Sequence, residues 1–313
     1  MHLLIPFAAP SSDAGRAAAV ALRLPRLAAL LALCGAPERD DGDELSLDAP
    51  HERLLARALG WSAAPGCLPW AARAAQADGI ATGIATDTQA WGLVTPAHWH
   101  LGTDQVSMGD PDQLALDEAA SREFFAVVHG VFANEGMALH YGAPLRWYLA
   151  HDGLAELPCA SLDRVIGRNV DRWLGNQPAA RLLRRLQSEV QMLLYVYPLN
   201  DARQAQGLLP LNSFWLSGCG RAQAASAGAL QIDTRLRGPA LAEDWPGWLK
   251  AWESLDDGPV AQALDAARQG QAVRLSLCGE RGSLSFSASR PSLMQRLRSR
   301  WAAPALAPWL EGL

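Results

Sequence analysis

The sequence predicts an α/β protein with antiparallel additions, and three observations point there. Half of the 313 residues are apolar and 19% are charged, a globular balance with enough length to bury a sizeable core. Stretches with helical apolar spacing alternate with short apolar runs of strand character. Near the end, VRLSLC-GERG-SLSFSAS reads as strand, turn and strand, an antiparallel hairpin with one solvated face.

The elements follow in chain order. Leu3 to Phe7 form a short apolar run that stops at Pro10-Ser11-Ser12, as a buried first strand and loop would. LPRLAALLALCG has helical spacing, with Gly35 as its C-cap. PERDDGDELSLD (37–48) reads as an acidic, turn-rich loop, and HERLLARALGW (51–61) as a second helix. WGLVTPAHWHLG and QVSMGD read as strands around a Gly102-Thr103-Asp104 turn. LDEAASREFFAVVHGVFANEG is a helix with Asp117 as N-cap, Phe124, Phe125, Val128, Val131 and Phe132 as its buried stripe, and Gly136 at its end. MALHYGAPLRWYLAH is a hairpin. AARLLRRLQSEVQMLLYVY is a long helix burying Leu183, Leu186, Val190, Leu193 and Leu194 until Pro198 stops it. NSFWLSG is a strand, and Pro291 opens a last amphipathic helix.

Composition narrows the function classes. Net charge is −5, only Lys250 of the 27 basic residues is a lysine, and no basic cluster is sustained, which argues against nucleic acid. The five cysteines (Cys34, Cys67, Cys159, Cys219, Cys278) are scattered without a CxxC, as expected for reduced thiols in a cytoplasmic protein. MHLLIPFAAPSSDAGR lacks the pattern of a signal peptide, and Arg23, Pro25 and Arg26 break the apolar run 17–36, so no membrane association is expected. The twelve tryptophans, Trp245, Trp248 and Trp252 at helical spacing among them, read as core packing.

Several constellations could carry chemistry. His98 and His100 flank Trp99, so both rings share a strand face. Either they hold a metal ion with Asp104 as oxygen ligand, or they belong to an edge strand. SGCGR (217–221) either exposes backbone N–H groups of Gly218 and Gly220 to an anion beside Arg221, or is a tight turn. SLDRVIGRNVDRW (161–173) is either a salt-bridged surface turn or a cleft wall with Arg168 and Asn169 inward. All seven histidines lie at or before His151 and no GxSxG occurs, so the Ser…Asp…His order of α/β-hydrolases is excluded.

At YPLNDARQAQGLLPLNSFWLSGCG (197–220) the sequence resembles the archaeal-type, cofactor-independent phosphoglycerate mutases of the alkaline phosphatase superfamily. The shared pattern is a turn at Pro198-Leu199-Asn200, a basic helix from Arg203 to Gly207, Pro210, an Asn212-Ser213 strand and a Gly218-Cys219-Gly220 turn. LPRLAALLALCG looks like that superfamily's first helix, and WHLGTDQVSMGDP with LDEAASREFF looks like the start of the mutases' inserted domain. The whole chain looks like a bacterial family labelled either phosphoglycerate mutase or regulatory protein RpfE. This resemblance implies an alkaline-phosphatase-like mixed sheet flanked by helices over 1–84 and 161–313, with a smaller inserted α+β subdomain at 85–160.

The departures decide the expected function. Two-metal phosphoryl transfer needs several carboxylate and imidazole ligands acting together. Where the family carries Asp-Gly-x-x-Asp after its first strand, this chain has AAPSSDAG, keeping Asp13 beside Ser11 and Ser12, and its second half has no His. The expectation is a scaffold without the two-metal centre and without a cofactor. It would act as a regulatory or binding protein, with an anionic phosphorylated small molecule near Asn200, Arg203, Asn212, Gly218, Gly220, Arg221, Arg168 and Asn169. One rival is an active mutase or metal-dependent phosphatase. It would use Ser11, Ser12 or Ser213 as nucleophile and Asp13, His98, His100 and Asp104 as ligands for Mn²⁺, Mg²⁺ or Zn²⁺. Another is a pure protein-interaction scaffold.

Overall fold

The chain is α/β. The computed structural model describes residues 1–80, 88–175, 178–226, 230–289, 310 and 313, so the helix expected from Pro291 lies outside the described residues. The strands are β1 (His2–Ile5), β2 (Glu38–Asp40), β3 (Ala90–Ala97), β4 (Trp99–Leu101), β5 (Val106–Met108), β6 (Ala138–Ala143), β7 (Arg146–Ala150), β8 (Ser213–Arg221), β9 (Leu230–Ile232), β10 (Val273–Cys278) and β11 (Ser283–Ala288). The longer helices are α1 (Asp13–Val20), α2 (Pro25–Leu33), α3 (Pro50–Ala58), α4 (Trp70–Ala77), α5 (Glu118–Ala133), α6 (Pro178–Tyr195), α7 (Pro198–Ala205), α8 (Trp245–Leu255) and α9 (Ala261–Arg268).

Two compact units result: Met1–Glu44, Ala49–Leu59 and Ser226–Leu313 form the first, and Leu45–Asp48 and Gly60–Ala225 the second. The second unit extends past the expected 85–160 block at both ends. The reason is long-range pairing: β8, from beyond that block, runs along β3, and α4, from before it, packs on the same strands.

The first unit holds a five-stranded sheet in the order β2-β11-β10-β1-β9. β1 is parallel to β9 and β10, while β11 is antiparallel to both β10 and β2. The alternation of β1 sends Leu3 and Ile5 into one core with α2, α8 and α9, and Leu4 to the other face against Leu54 of α3. Two corrections arise here. The acidic stretch 37–48 supplies β2, because Arg274 pairs with Glu38 and Arg53 with Asp40, so the charged strand is compensated at the sheet edge. Gly35 is not the cap of α2; Cys34 ends the helix in extended conformation, and the Gly35 N–H donates to Ser287 in the sheet.

The start of α2 depends on a distant side chain. Leu24 offers no capping group, and the first turn instead donates its Arg26 and Leu27 N–H groups to the buried Asp256 carboxylate at 3.1 and 2.7 Å. Asp256 opens the π-helical turn Asp256–Val260 that joins α8 to α9, so one bulge ties three helices. Burial raises the pKa of this carboxylate, with the two N–H donors acting against it. Across β1, β10 and β11 runs a polar row: His2 Nε2 meets Ser276 Oγ at 2.9 Å, and Ser276 Oγ meets Ser285 Oγ at 2.7 Å.

The second unit holds the antiparallel sheet β6-β7-β3-β8 and the small ribbon β4-β5. One face packs Trp147, Leu149, Phe214 and Leu216 against Phe124, Val128 and Phe132 of α5 and Leu183, Leu186, Val190 and Leu194 of α6. The other face meets Ala71, Ala72 and Ala75 of α4 through Trp91, Tyr148 and Ala150. Both stripes expected from the sequence are therefore core, with Phe125, Val131 and Leu193 partly buried at their margins. Pro198 does not merely stop α6, which ends at Tyr195. It opens α7 from the first helical position, where its missing N–H costs nothing.

Two outcomes test this account. Asp256→Ala removes both acceptors from the start of α2, and urea unfolding should show a loss of about 1–3 kcal/mol; an unchanged midpoint would show that the cap is dispensable. For His2, burial, with Arg274 and the terminal ammonium nearby, lowers the pKa from 6.5 to about 4. The unfolded chain then takes up the proton first. Stability tied to neutral His2 is complete above pH 6.5 and is lost as pH falls toward about 4. Wild type should therefore lose more urea resistance than His2→Gln between about pH 7 and about pH 4.5.

Candidate functional site

In sheets with parallel strands, ligands settle beyond the carboxyl ends of the strands. In the first unit, past β1, tryptophan side chains pack against the loop that follows the strand. Phe7 adopts φ +56°, rare for a bulky residue, and its carbonyl accepts the Trp248 indole N–H at 3.0 Å. Trp245, Trp248 and Trp252 stack edge to face at centroid spacings of 6.1 Å, with Trp248 and Trp252 fully buried. Gly15 in α1 lies beneath this stack: a Cβ there would fall 2.4 Å from Pro10 and 2.7 Å from Trp245. Ser12 is the N-cap of α1, its Oγ accepting the Gly15 N–H at 3.2 Å. The Ser11 carbonyl accepts a bond from Arg16, and the Asp13 side chain, 98% exposed, is paired with the same guanidinium.

The 197–221 segment lies in the second unit, and most of its polar side chains hold backbone. Asn200 Nδ2 donates to the carbonyls of Leu194 and Leu211 at 2.9 and 2.7 Å, and its Oδ1 accepts the Leu211 N–H at 2.8 Å. Asn212 clasps Trp99 in the same way, accepting its N–H at 2.7 Å and donating to its carbonyl at 2.9 Å. Arg203 is buried. Its Nε donates to Leu209 at 3.1 Å and its Nη2 to the Leu114 carbonyl, while burial lowers its pKa. Ser213 is buried, and its hydroxyl has no hydrogen-bond partner.

Gly218 and Gly220 belong to β8 itself rather than to a turn. Opposite Trp91 and Leu93 stand Gly220 and Ser217, so β8 carries one extra residue, a β-bulge. Gly218 has φ +62°, and a Cβ there would touch Trp70 and Ala71 at 3.0 Å; one on Gly220 would lie 3.0 Å from the Cys67 carbonyl. The glycines thus admit the start of α4 and the Cys67–Trp70 turn against the strand.

His98 and His100 do share a face, their rings edge to face at 4.4 Å. His98 Nδ1 bonds the Pro210 carbonyl at 2.8 Å, and burial lowers its pKa. Asp104 is exposed in the turn. Among the described residues no group of three His, Cys, Asp or Glu side chains could hold a metal ion. In 161–173 the inward residue is Arg164, not Arg168 or Asn169: it is buried, lies 5.1 Å over the Trp173 ring and donates to Ser46 at 3.0 Å. Arg168 and Asn169 instead bind the β4-β5 ribbon, the first through its carbonyl to Met108 and the second by a bridge to Ser107.

A cleft of about 570 Å³ opens at the end of β8. Cys67, Glu156, Pro158, Gly220, Arg221 and Gln223 line it. Arg221 is 3.3 Å from Asp152, the two side chains being 44% and 77% exposed. Gln223 is fixed by two bonds to the main chain of Ser62, at 3.1 and 3.0 Å. The Cys67 thiol is pushed up by burial first, then by Cys159, Asp48 and Glu156. Behind it, the buried sulfurs of Cys159 and Cys219 are 3.6 Å apart. Of the residues expected around a ligand, only Gly220 and Arg221 reach this cleft. Sequence reasoning missed Cys67, Glu156 and Gln223, whose separations in the chain carry no local motif.

No family model matches this chain, and no curated protein sequence matches it. It aligns with the solved structure of the cofactor-independent phosphoglycerate mutase from Thermoplasma acidophilum DSM 1728 at 13% identity and a TM-score of 0.38, over 95% of this chain and 94% of that one. The PH0037 protein from Pyrococcus horikoshii aligns at 12% identity and a TM-score of 0.43, over 95% and 92%. At such scores the likeness carries no activity across.

Gly15→Ala separates packing from propensity in the first unit. Helix propensity alone predicts a gain of about 1 kcal/mol. The contacts with Pro10 and Trp245 predict overpacking and a net loss of about 1–3 kcal/mol in urea unfolding, and a stabilised variant would contradict them.

Proposed function

We propose that this chain is a phosphoglycerate-mutase-like protein without the two-metal phosphoryl-transfer centre, acting as a binding or regulatory protein for an anionic phosphorylated small molecule in the Arg221 cleft. The observation that carries this reading is the packing beyond β1. The position of the resembled ligand motif holds a tryptophan stack over Gly15, a capping Ser12 and an outward Asp13. Asn200, Arg203 and Asn212 are committed to backbone, whereas Arg221 lines the cleft of about 570 Å³.

Arg221 suits such a role energetically. An exposed pair such as Arg221–Asp152 contributes only about 0–1 kcal/mol, so exchanging the carboxylate for a phosphate costs little. The bonds gained would be charge-assisted and bidentate. A volume of about 570 Å³ falls within the range of small-molecule sites. Glu156 on the same wall opposes a bare polyanion and favours a ligand that also carries hydroxyl or amino donors.

A thermal-shift screen over phosphorylated metabolites tests the proposal. A ligand at about 100 Kd should stabilise by about 2.7 kcal/mol, roughly 5 °C or more. Arg221→Ala should lose that shift while melting like wild type without ligand. No shift across the panel would overturn the ligand reading and favour a protein-binding scaffold. Interconversion of 3- and 2-phosphoglycerate with Mn²⁺, Mg²⁺ or Zn²⁺, abolished by chelator, would overturn the loss of catalysis.

A further inference from the structure

Three of the five cysteines, far apart in sequence, converge in the second unit. The Cys159 and Cys219 sulfurs are 3.6 Å apart inside the core, 7% and 0% exposed. Cys67 lines the open cleft in front of them. Backbone contacts lock the three together: the Cys159 N–H donates to the Gly66 carbonyl at 2.9 Å, and the Cys67 carbonyl lies 3.0 Å from the Cβ position of Gly220. Gly92 lets the Cys219 sulfur pack against its backbone, since a Cβ there would come within 3.1 Å of Sγ. A disulfide needs the sulfurs to close to about 2.0 Å, a movement of the order of one side-chain rotation.

We propose that Cys159 and Cys219 are a reversible dithiol–disulfide pair, oxidised by a small-molecule disulfide that enters the cleft and is first engaged by Cys67. The Cys67 thiolate attacks one sulfur of the reagent RSSR, forming Cys67–S–S–R and releasing RS⁻. Cys159, as thiolate, attacks the Cys67 sulfur and expels the second RS⁻. The Cys219 thiolate then attacks Cys159 Sγ, forming the Cys159–Cys219 bond and returning Cys67 as thiolate. In sum, two thiols and RSSR give one protein disulfide and two RSH, two electrons passing to the reagent. Cys67 has the solvent access that the buried pair lacks, and the pair has the contact that a stable product requires.

The test uses the full native chain and oxidised glutathione, followed by acid quench, alkylation under denaturing conditions and non-reducing peptide mass spectrometry. Two of the five thiols should be lost, with a peptide linked through Cys159 and Cys219, and dithiothreitol should restore both. Cys34 and Cys278 should remain alkylated. Cys67→Ser should slow formation of the link by at least about tenfold, and Cys219→Ala should halt the relay with Cys67 joined to glutathione or to Cys159. The wild-type result stands even if a variant folds poorly. Glutathione on Cys67 with Cys159 and Cys219 both alkylated, or five alkylated thiols after prolonged exposure, would overturn the proposal.

Discussion

The second unit depends on the antiparallel pairing of β3 with β8 and on the single extra residue that interrupts it. A bulge bends its strand and shifts the facing of side chains beyond it. Before it, Phe214 and Leu216 face the aromatic core formed with α5 and α6. Within it, Cys219 turns to the buried sulfur of Cys159. Beyond it, Gly220 and Arg221 reach the cleft. The glycines on either side of Cys219 let the alanine face of α4 and the Cys67–Trp70 turn approach the backbone at distances a side chain would forbid. The thiol pair and the open end of β8 therefore follow from one local departure from regular pairing.

A second regularity is the use of polar side chains as backbone partners. A buried N–H or C=O without a partner costs more than a hydrogen bond gains, so loops entering a core must be supplied with donors and acceptors. Asn200 and Asn212 each meet both a donor and an acceptor of the main chain, which an amide does and a carboxylate cannot. Arg203 serves carbonyls from the 111–114 turn and from the approach to β8. Asp256 does the reverse task, accepting the N–H groups at a helix start that has no cap of its own. Density of polar residues around turns thus reflects backbone accounting before it reflects a ligand.

That explains what could be read from sequence. α5 and α6 carry large apolar residues at helical spacing, and the β10-β11 hairpin alternates cleanly, so local pattern and tertiary packing agree. α4 was illegible because its buried face is alanine, which has no periodic contrast with its surroundings. β2 and β9 are three-residue edge strands, and β2 is made of charged residues whose partners lie on other elements. The polar crowding of 197–221 was visible, but its meaning was not: only the tertiary fold shows that Asn200 looks toward Leu211 and not into a cleft. The meeting of Cys67, Cys159 and Cys219 left no trace in spacing, because each comes from a different loop or strand.

The end of β1 gives the sharpest physical contrast between a binding scaffold and a phosphoryl-transfer enzyme. A two-metal site needs anionic ligands converging on a cavity, and convergent carboxylates repel one another until cations enter. Past β1 of this chain, aromatic side chains pack against the loop that follows the strand. Trp248 and Trp252 are buried, Trp248 donates its indole N–H to a carbonyl in a strained turn, and Gly15 is a glycine because Pro10 and Trp245 occupy the position of its side chain. Separating these rings would undo edge-to-face contacts worth about 0.5–1.5 kcal/mol each, against a total stability of about 5–15 kcal/mol, and would expose indole surface. The residues that stabilise this end of the first sheet are packed against the loop that follows β1, whereas Gly220 and Arg221 at the end of β8 face open volume.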